Sequence, residues 1–342
     1  MPMSALALAE ALRVRCAIAE ARLARALVSA VALVLLIPAI AHSQAYPSKP
    51  LRLIVPSAPG GSPDINAREL ANELTKQMGQ QVVVENRPGA SGIIGYEALM
   101  RATPDGYTFG YISNFIATNP GLYTKLPYDF SRDFRPVIFY FQGLNILTVS
   151  PSLPVRSVKE LLDHARANPG KLTFGSSGIG ATPHLSMELF KSMTSTAIVH
   201  VPYKGTQQAV TDLIGGQIDI LCDNMASLLP MVRAGRIRAL AVTSLKRTSV
   251  LPELPTLDES GLPGYELVGW SGMAVPVGVS RAIVLQLNAE INKALSSATV
   301  PKGIASRGGT PMGGTPEEFG EHVRKETERL SKLIKAVGIK PQ

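Results

Sequence analysis

Leu51-Arg52-Leu53-Ile54-Val55-Pro56-Ser57-Ala58-Pro59-Gly60-Gly61-Ser62-Pro63-Asp64 runs from an apolar segment through a turn into the opening of a helix. The first five residues, rich in Leu, Ile and Val, suit a buried strand. Two prolines and a Gly-Gly pair stop it. Ser62 is the expected N-cap, Pro63 takes the first helical position, and Asp64 puts an acid in the first turn. Ile65, Leu70, Leu74 and Met78 then fall near one face, and Gly79 closes the helix.

Outward from this stretch the alternation continues. Gln81 to Glu85 is a β-branched strand. A helix follows the Arg87-Pro88-Gly89 turn and runs to about Arg101, and Tyr107 to Ile112 forms a third strand. The pattern restarts at Ser157-Val158-Lys159-Glu160, a capping box for a helix ending near Asn168-Pro169-Gly170. Leu172 to Phe174 is a strand, and Thr182-Pro183-His184 opens a helix reaching about Met193. Ile198 to Val201, Ile218 to Leu221 and Ala239 to Val242 are further strands, and helices run from Ser280 to Ser297 and onward from Thr315. Short loops between alternating strands and helices predict an α/β fold of largely parallel sheets covered on both faces.

The two halves share one junction. Gly60-Gly61-Ser62-Pro63 and Gly180-Ala181-Thr182-Pro183 each join a strand to a helix through glycine. Such a junction aims unpaired N–H groups and the positive end of a helix at one spot, which suits an anion. Facing each other across a cleft, two of them would form a carboxylate socket at the carboxyl ends of strands. A tight turn that needs glycine only for its backbone is the competing reading of either loop alone.

The first forty-five residues differ from the rest. Arg13, Arg15, Arg22 and Arg25 precede an apolar run from Ala26 to Ile40 and the small residues of Ser43-Gln44-Ala45. That is the layout of a secretory leader cleaved before Tyr46. A membrane anchor is the alternative, but the run is shorter than the ~20 residues a bilayer span needs, and Pro38 interrupts it. Cleavage would remove four arginines and two glutamates, lowering the net charge from +8 to +6, and would leave Cys222 as the single cysteine, so packing rather than a disulfide must hold the fold. The 342 residues suffice for two cores. Export and scattered positive charge argue against nucleic acid and for a small anionic ligand.

Several further stretches occur together and in order. They are Tyr46-Pro47-Ser48-Lys49-Pro50, the loop from Val55 to Asp64, Val84-Glu85-Asn86-Arg87-Pro88-Gly89-Ala90 and Pro104-Asp105-Gly106-Tyr107-Thr108. Leu126-Pro127-Tyr128-Asp129, Ser176-Ser177-Gly178, His200-Val201-Pro202-Tyr203-Lys204-Gly205 and Cys222-Asp223-Asn224 follow. With these the mature chain resembles the Bug family, the extracytoplasmic solute receptors of tripartite tricarboxylate transporters. The resemblance implies a two-lobed periplasmic-binding-protein-like fold with two hinge crossings, near Ile146 to Ser150 and Trp270 to Ala274. Lobe one would hold residues 46–145 and 271–342, and lobe two residues 146–270. It implies a carboxylate or amino-acid ligand, integral membrane permease subunits as partners, a periplasmic location and a monomer, with no cofactor and no metal. Carried over by position, Ala58, Gly60, Gly61, Ser62 and Asp64 form one wall of the ligand site. Ser176, Ser177, Gly178, Gly180, Thr182 and His184 form the other, with Tyr203 and Asp223 at later strand ends. The chain departs from the family at Ser57, where Phe is usual, at Pro63, which has no N–H to give, and at Cys222, where a larger apolar residue is common.

Individual residues carry competing readings. Asp64 either caps its own helix or holds a ligand ammonium or water. His184 either contacts ligand or is satisfied by backbone, and with Glu188 it is too little for a metal. Lys204 reads as solvated, and Trp270 as a hinge-side core residue. Ser176, Ser177 and His184 could suggest a secreted hydrolase, but Gly175-Ser176-Ser177-Gly178 is not a Gly-x-Ser-x-Gly elbow, and neither a Walker sequence nor Gly-x-Gly-x-x-Gly occurs. A sensor presenting its loaded form to a signalling membrane protein would share the fold and the pocket of a transport receptor.

Overall fold

The computed structural model describes residues 46–341 and, nearer the N-terminus, residues 13, 15–20, 22, 23 and 25, which are helical and exposed. The leader's apolar run and its Ser43-Gln44-Ala45 site lie outside the described residues. Among the described residues no helix is long and apolar enough to cross a membrane.

The first α/β set is β1 (Leu51–Val55), α1 (Ser62–Met78), β2 (Val82–Asn86), α2 (Ile93–Met100), β3 (Thr108–Ser113), α3 (Phe115–Leu122) and α4 (Phe130–Asp133). The sixteen-residue strand β4 (Phe134–Val149) leads out of it. The second set is α5 (Val158–Ala167), β5 (Thr173–Ser176), α6 (Thr182–Thr194), β6 (Val199–Pro202), α7 (Thr206–Ile214), β7 (Ile220–Asn224), α8 (Met225–Arg233) and β8 (Arg238–Val242). The chain then returns through β9 (Val268–Pro276) to α9 (Arg281–Leu295), α10 (Val300–Ser306), β10 (Gly309–Gly313) and α11 (Pro316–Ala336).

Each lobe is built on three parallel strands, β2-β1-β3 in the first and β6-β5-β7 in the second. The remaining strands pair antiparallel, so both sheets are mixed. β4 belongs to both. Its residues up to Leu144 pair with β9 and β10, while Asn145 to Val149 pair with β7 and β8. On the return path Leu267 still bonds Thr243 of the second lobe, and from Val268 the chain pairs with β4 in the first. Both hinge segments therefore change sheets at one level.

Burial explains the strands. Leu51, Leu53 and Val55 are at most 1% exposed and pack with Leu70 and Leu74 of α1 and Leu287 of α9, each side chain contributing roughly 1.5–3 kcal/mol of transfer free energy. In the second lobe Leu213 of α7, Leu221 of β7 and Leu228 of α8 form the matching core. Two capping expectations need correction. Ser62 lies inside the first turn of α1: the carbonyl of Gly61 accepts the first helical bond, from Ile65, and Gly61 is the N-cap. The Ser157 hydroxyl accepts from Glu160 N–H as expected, but the Glu160 carboxylate reaches back to Arg156 N–H, one residue earlier than a capping box requires. The complete box is at the start of α11, where Thr315 and Glu318 satisfy each other's N–H groups.

Candidate functional site

All six parallel strands end at one cavity of about 830 Å³. In the first lobe its wall comes from the loop after β1, the Pro88–Gly92 turn after β2, and Asn114 and Phe115 after β3. In the second it comes from the Ser177–Pro183 loop after β5, the Tyr203–Thr206 stretch after β6, and Asn224 at the end of β7. Most of these segments run straight into a helix, so α1, α3, α6, α7 and α8 all begin at the cavity. Their first N–H groups have no partner within the helix and carry its positive end.

The side chains agree in sign. Among the described residues lining the cavity no Asp or Glu occurs, and Lys204 is the one with a formal charge. Tyr111, Phe115, Phe141 and Trp270 supply apolar and aromatic surface. Trp270 is fixed on both sides, its N–H donating to Asn114 Oδ1 at 2.7 Å and its Nε1 to Glu326 Oε2 at 3.0 Å.

Of the thirteen residues singled out from sequence, Ala58, Gly61, Ser62, Ser177, Gly178, Thr182 and Tyr203 line the cavity. The other six stand behind the wall. Gly60 N–H donates to Asp64 Oδ2 at 2.9 Å, and Asn86 Nδ2 donates to Asp64 Oδ1 at 2.9 Å, with the Arg68 guanidinium 3.0 Å from the same oxygen. Burial pushes the Asp64 carboxyl up, but these bonds outweigh it and hold it below the ordinary aspartate range. Gly180 N–H donates to His184 Nδ1 at 3.1 Å, which leaves the ring proton on Nε2, 3.9 Å from Glu188. The His184 ring stacks on His200 with centroids 4.2 Å apart. Burial lowers His184 to about 3 and His200 to about 4, so both rings are neutral at pH 7.

Ser176 is fully buried, with Oγ 2.7 Å from His200 Nε2 and accepting from Gly178 N–H at 3.2 Å. Asp223, also fully buried, accepts from Thr206 Oγ1 at 2.9 Å and from Asn224 N–H at 2.6 Å. Burial raises its carboxyl to about 6 against the pull of those bonds. Thr206 and Asn224 both line the cavity, so Asp223 sets two wall residues without lining the wall itself.

Sequence reasoning singled out no residue at the second and third junctions of lobe one, and at those of lobe two it named Tyr203 and Asp223 but not Gly205, Thr206 or Asn224; Lys204, read as solvated, is exposed at the cavity edge. The signal was present, since Lys204-Gly205-Thr206 and Pro88-Gly89-Ala90-Ser91-Gly92 repeat the strand–glycine–helix grammar of the two recognised loops. Each of those loops is also touched from the opposite lobe. Ser91 Oγ donates to the carbonyl of Ile179 at 2.6 Å, and Gln207 Nε2 donates to the carbonyl of Gly60 at 2.8 Å. These two bonds join the lobes across the mouth of the cavity.

Comparison with known proteins agrees with this architecture. The family described as "Tripartite tricarboxylate transporter family receptor" matches residues 66–339. Protein BugT of Bordetella pertussis is 36% identical over 306 residues, 89% of this chain and 94% of its own. Rpa4515 of R. palustris, solved with adipate, superposes with a TM-score of 0.85 at 39% identity, over 87% of this chain and all of its own. MatC from Rhodopseudomonas palustris, solved with bound malate, gives a TM-score of 0.80 at 28% identity, over 84% of this chain and all of its own.

Proposed function

The chain belongs to the tripartite tricarboxylate transporter receptor family, and from that premise we propose that it captures a small organic carboxylate between its lobes in the periplasm and presents it to an integral membrane permease. One observation carries the reading: six strand ends and their helix N-termini meet at a cavity whose described lining contains no acidic side chain. Aligned peptide dipoles place roughly half a positive charge at each helix start, and together they favour an anion. The adipate and malate found with two relatives fit this chemistry.

In this reading Ala58, Gly61 and Ser62 face the ligand from lobe one, and Ser177, Gly178, Thr182 and Tyr203 face it from lobe two. Gly60, Asp64, Ser176, Gly180, His184 and Asp223 hold those walls in shape. Lobe one comprises residues 46–145 and 271–342 and lobe two residues 146–270, a division supported to within a few residues by the changes of sheet after Leu144 and after Leu267. Closure about that hinge excludes water and strengthens charge–dipole contacts. The leader, residues 1–45, is removed on export, and the receptor works as a monomer without cofactor or metal.

Capture proceeds without turnover. Ser176 and His200 form a serine–histidine pair, but Ser176 lies fully buried beneath its loop, out of reach of a substrate carbonyl. The test is thermal unfolding of residues 46–342 against carboxylates, amino acids, sugars and cations, with Trp270 fluorescence as a second readout. A ligand at a hundred times its Kd adds about 2.7 kcal/mol and raises Tm by several degrees. A shift with an acid but not its amide is the expected result; shifts confined to sugars or metals would overturn the proposal.

A further inference from the structure

We infer that Asn119 is a positioning residue for lobe closure: it fixes the turn after β2 in a left-handed conformation that aims the Ser91 hydroxyl at lobe two before a ligand arrives. The inference rests on capture between the lobes, as proposed above, and is indifferent to which acid is captured.

The backbone of this turn sets it apart. Gly89, Ala90, Ser91 and Gly92 follow one another with φ of 122°, 46°, 51° and 80°. Glycine adopts positive φ readily. Ala90 and Ser91 do not, because in the left-handed region Cβ crowds the following carbonyl. Such a pair persists only where the surroundings over-determine it. Ala90 presents an exposed methyl group, which can anchor nothing, so the hold falls on Ser91.

Asn119 supplies that hold from behind the wall. It is fully buried in α3 and is not among the residues lining the cavity. Its Nδ2 donates to the carbonyl of Ser91 at 3.0 Å and to Tyr128 Oη at 2.8 Å. Its Oδ1 is buried with no partner among the described residues. Turning the amide over would bring two oxygens face to face at Ser91, so the unpaired oxygen is the cost of gripping that carbonyl. Tyr128 packs edge-on against Tyr96 and Phe134, which keeps the second anchor of the amide still. With its carbonyl fixed, Ser91 accepts at Oγ from Tyr123 Oη at 3.1 Å and donates its own proton to the carbonyl of Ile179 at 2.6 Å. Of these partners Ile179 alone belongs to lobe two. The hydroxyl is therefore oriented by lobe one, and closure finds it ready.

Calorimetric titration of residues 46–342 with adipate and with malate tests the coupling. Asn119→Ala should weaken binding about fivefold, the same loss as Ser91→Ala. Because one acts through the other, the double variant should also lose only about fivefold. Tyr128→Phe, which removes only the other acceptor of the amide, should stay within about twofold of wild type. Losses that multiply in the double variant, to about twenty-fivefold, would give Asn119 a general structural role and overturn the inference. A loss with Tyr128→Phe equal to that with Asn119→Ala would overturn it too. The ligand-free protein gives a second readout that does not depend on Asn119→Ala folding. If the turn is held left-handed before closure, Ala90→Gly relieves it and should raise Tm by roughly 1–3 °C; a Tm that does not rise overturns the inference. Should neither acid bind wild type, the carboxylate reading fails, and this inference is decided by the Tm readout alone.

Discussion

The loop after β1 and the loop after β5 use one backbone device with opposite electrostatics. In each, a glycine two residues before the helix turns its N–H onto the side chain four positions later. The acceptor is Asp64 in lobe one and His184 in lobe two. In each, a carbonyl of the loop also accepts a hydrogen bond from the other lobe. The first loop therefore sets a carboxylate, compensated by Arg68 and Asn86, behind the start of α1. The second sets a neutral imidazole, stacked on another, behind the start of α6. The carboxylate is stabilised by the positive start of its helix and uses up part of that potential, which the neutral imidazole leaves for a ligand, so the second loop is expected to be the better anion holder. Equivalent shape does not imply equivalent chemistry.

The glycines give the largest expected difference. Gly60 and Gly180 both have φ near +80° (79° and 78°), where an L-residue is strained by about 1–2 kcal/mol. A Cβ at Gly60 would lie 3.2 Å from Cγ of Gln207, an exposed side chain that can swing aside. At Gly180 it would overlap Cδ1 of Leu122, which is buried in the facing lobe. Overpacking adds roughly 1–3 kcal/mol to the strain. Gly180→Ala should therefore weaken ligand binding by about 3 kcal/mol, more than a hundredfold, and Gly60→Ala by no more than about tenfold. Titration of both variants with the same acid checks the order; equal losses would remove the asymmetry.

How far the sequence disclosed this asymmetry depended on the type of signal. Both recognised loops were legible because glycine and Ser/Thr-Pro punctuate them within a few residues, and so were β1 and α1, whose apolar spacing is regular. β4 and β9 were not placed as strands. β4 contains Pro136, Gln142 and Gly143, and its register shifts twice along β9, so it lacks the clean alternation that marks a strand. The roles of Asp64, His184 and Asp223 were not legible either. Whether a polar side chain faces a cavity or the back of its own loop depends on a neighbouring strand, such as the one carrying Asn86 to Asp64, and that partner is 22 residues away.

Acid should separate the loops next. The folded protein holds His184 near 3 and His200 near 4, while an unfolded histidine titrates near 6.5. Between those values the unfolded chain binds protons that the native state refuses, so stability is full above pH 6.5 and declines as pH falls toward 4. Asp223, raised to about 6, works in the opposite sense and offsets part of the loss. Asp64, held below its ordinary range, contributes stability that is present above about pH 3.8 and is lost only as pH falls below it, so it plays little part in this window. Chemical denaturation at pH 7 and pH 4.5 should show a net loss of about 3 kcal/mol. His184→Gln, which keeps an acceptor for Gly180, should reduce that loss, and Asp64→Asn should leave it in place. The reverse pattern would assign the acid sensitivity to lobe one.

The smallest effect concerns the two bonds that cross the cleft. They look alike on distance, 2.6 Å from Ser91 and 2.8 Å from Gln207, but their surroundings differ. Ser91 sits in the cavity wall and its Oγ also accepts from Tyr123 Oη at 3.1 Å, so its hydroxyl is already oriented in the closed form. Gln207 is exposed, and water replaces its partner at little cost when the bond breaks. A half-buried, pre-oriented bond contributes about 1 kcal/mol and an exposed one well under that. Ser91→Ala should therefore weaken binding about fivefold and Gln207→Ala by less than twofold, read by the same titration. Because each bond grips the opposite loop, that order would tie closure, like anion binding, mainly to the loop after β5; a larger loss from Gln207→Ala would instead make the carboxylate-backed loop of lobe one the principal latch.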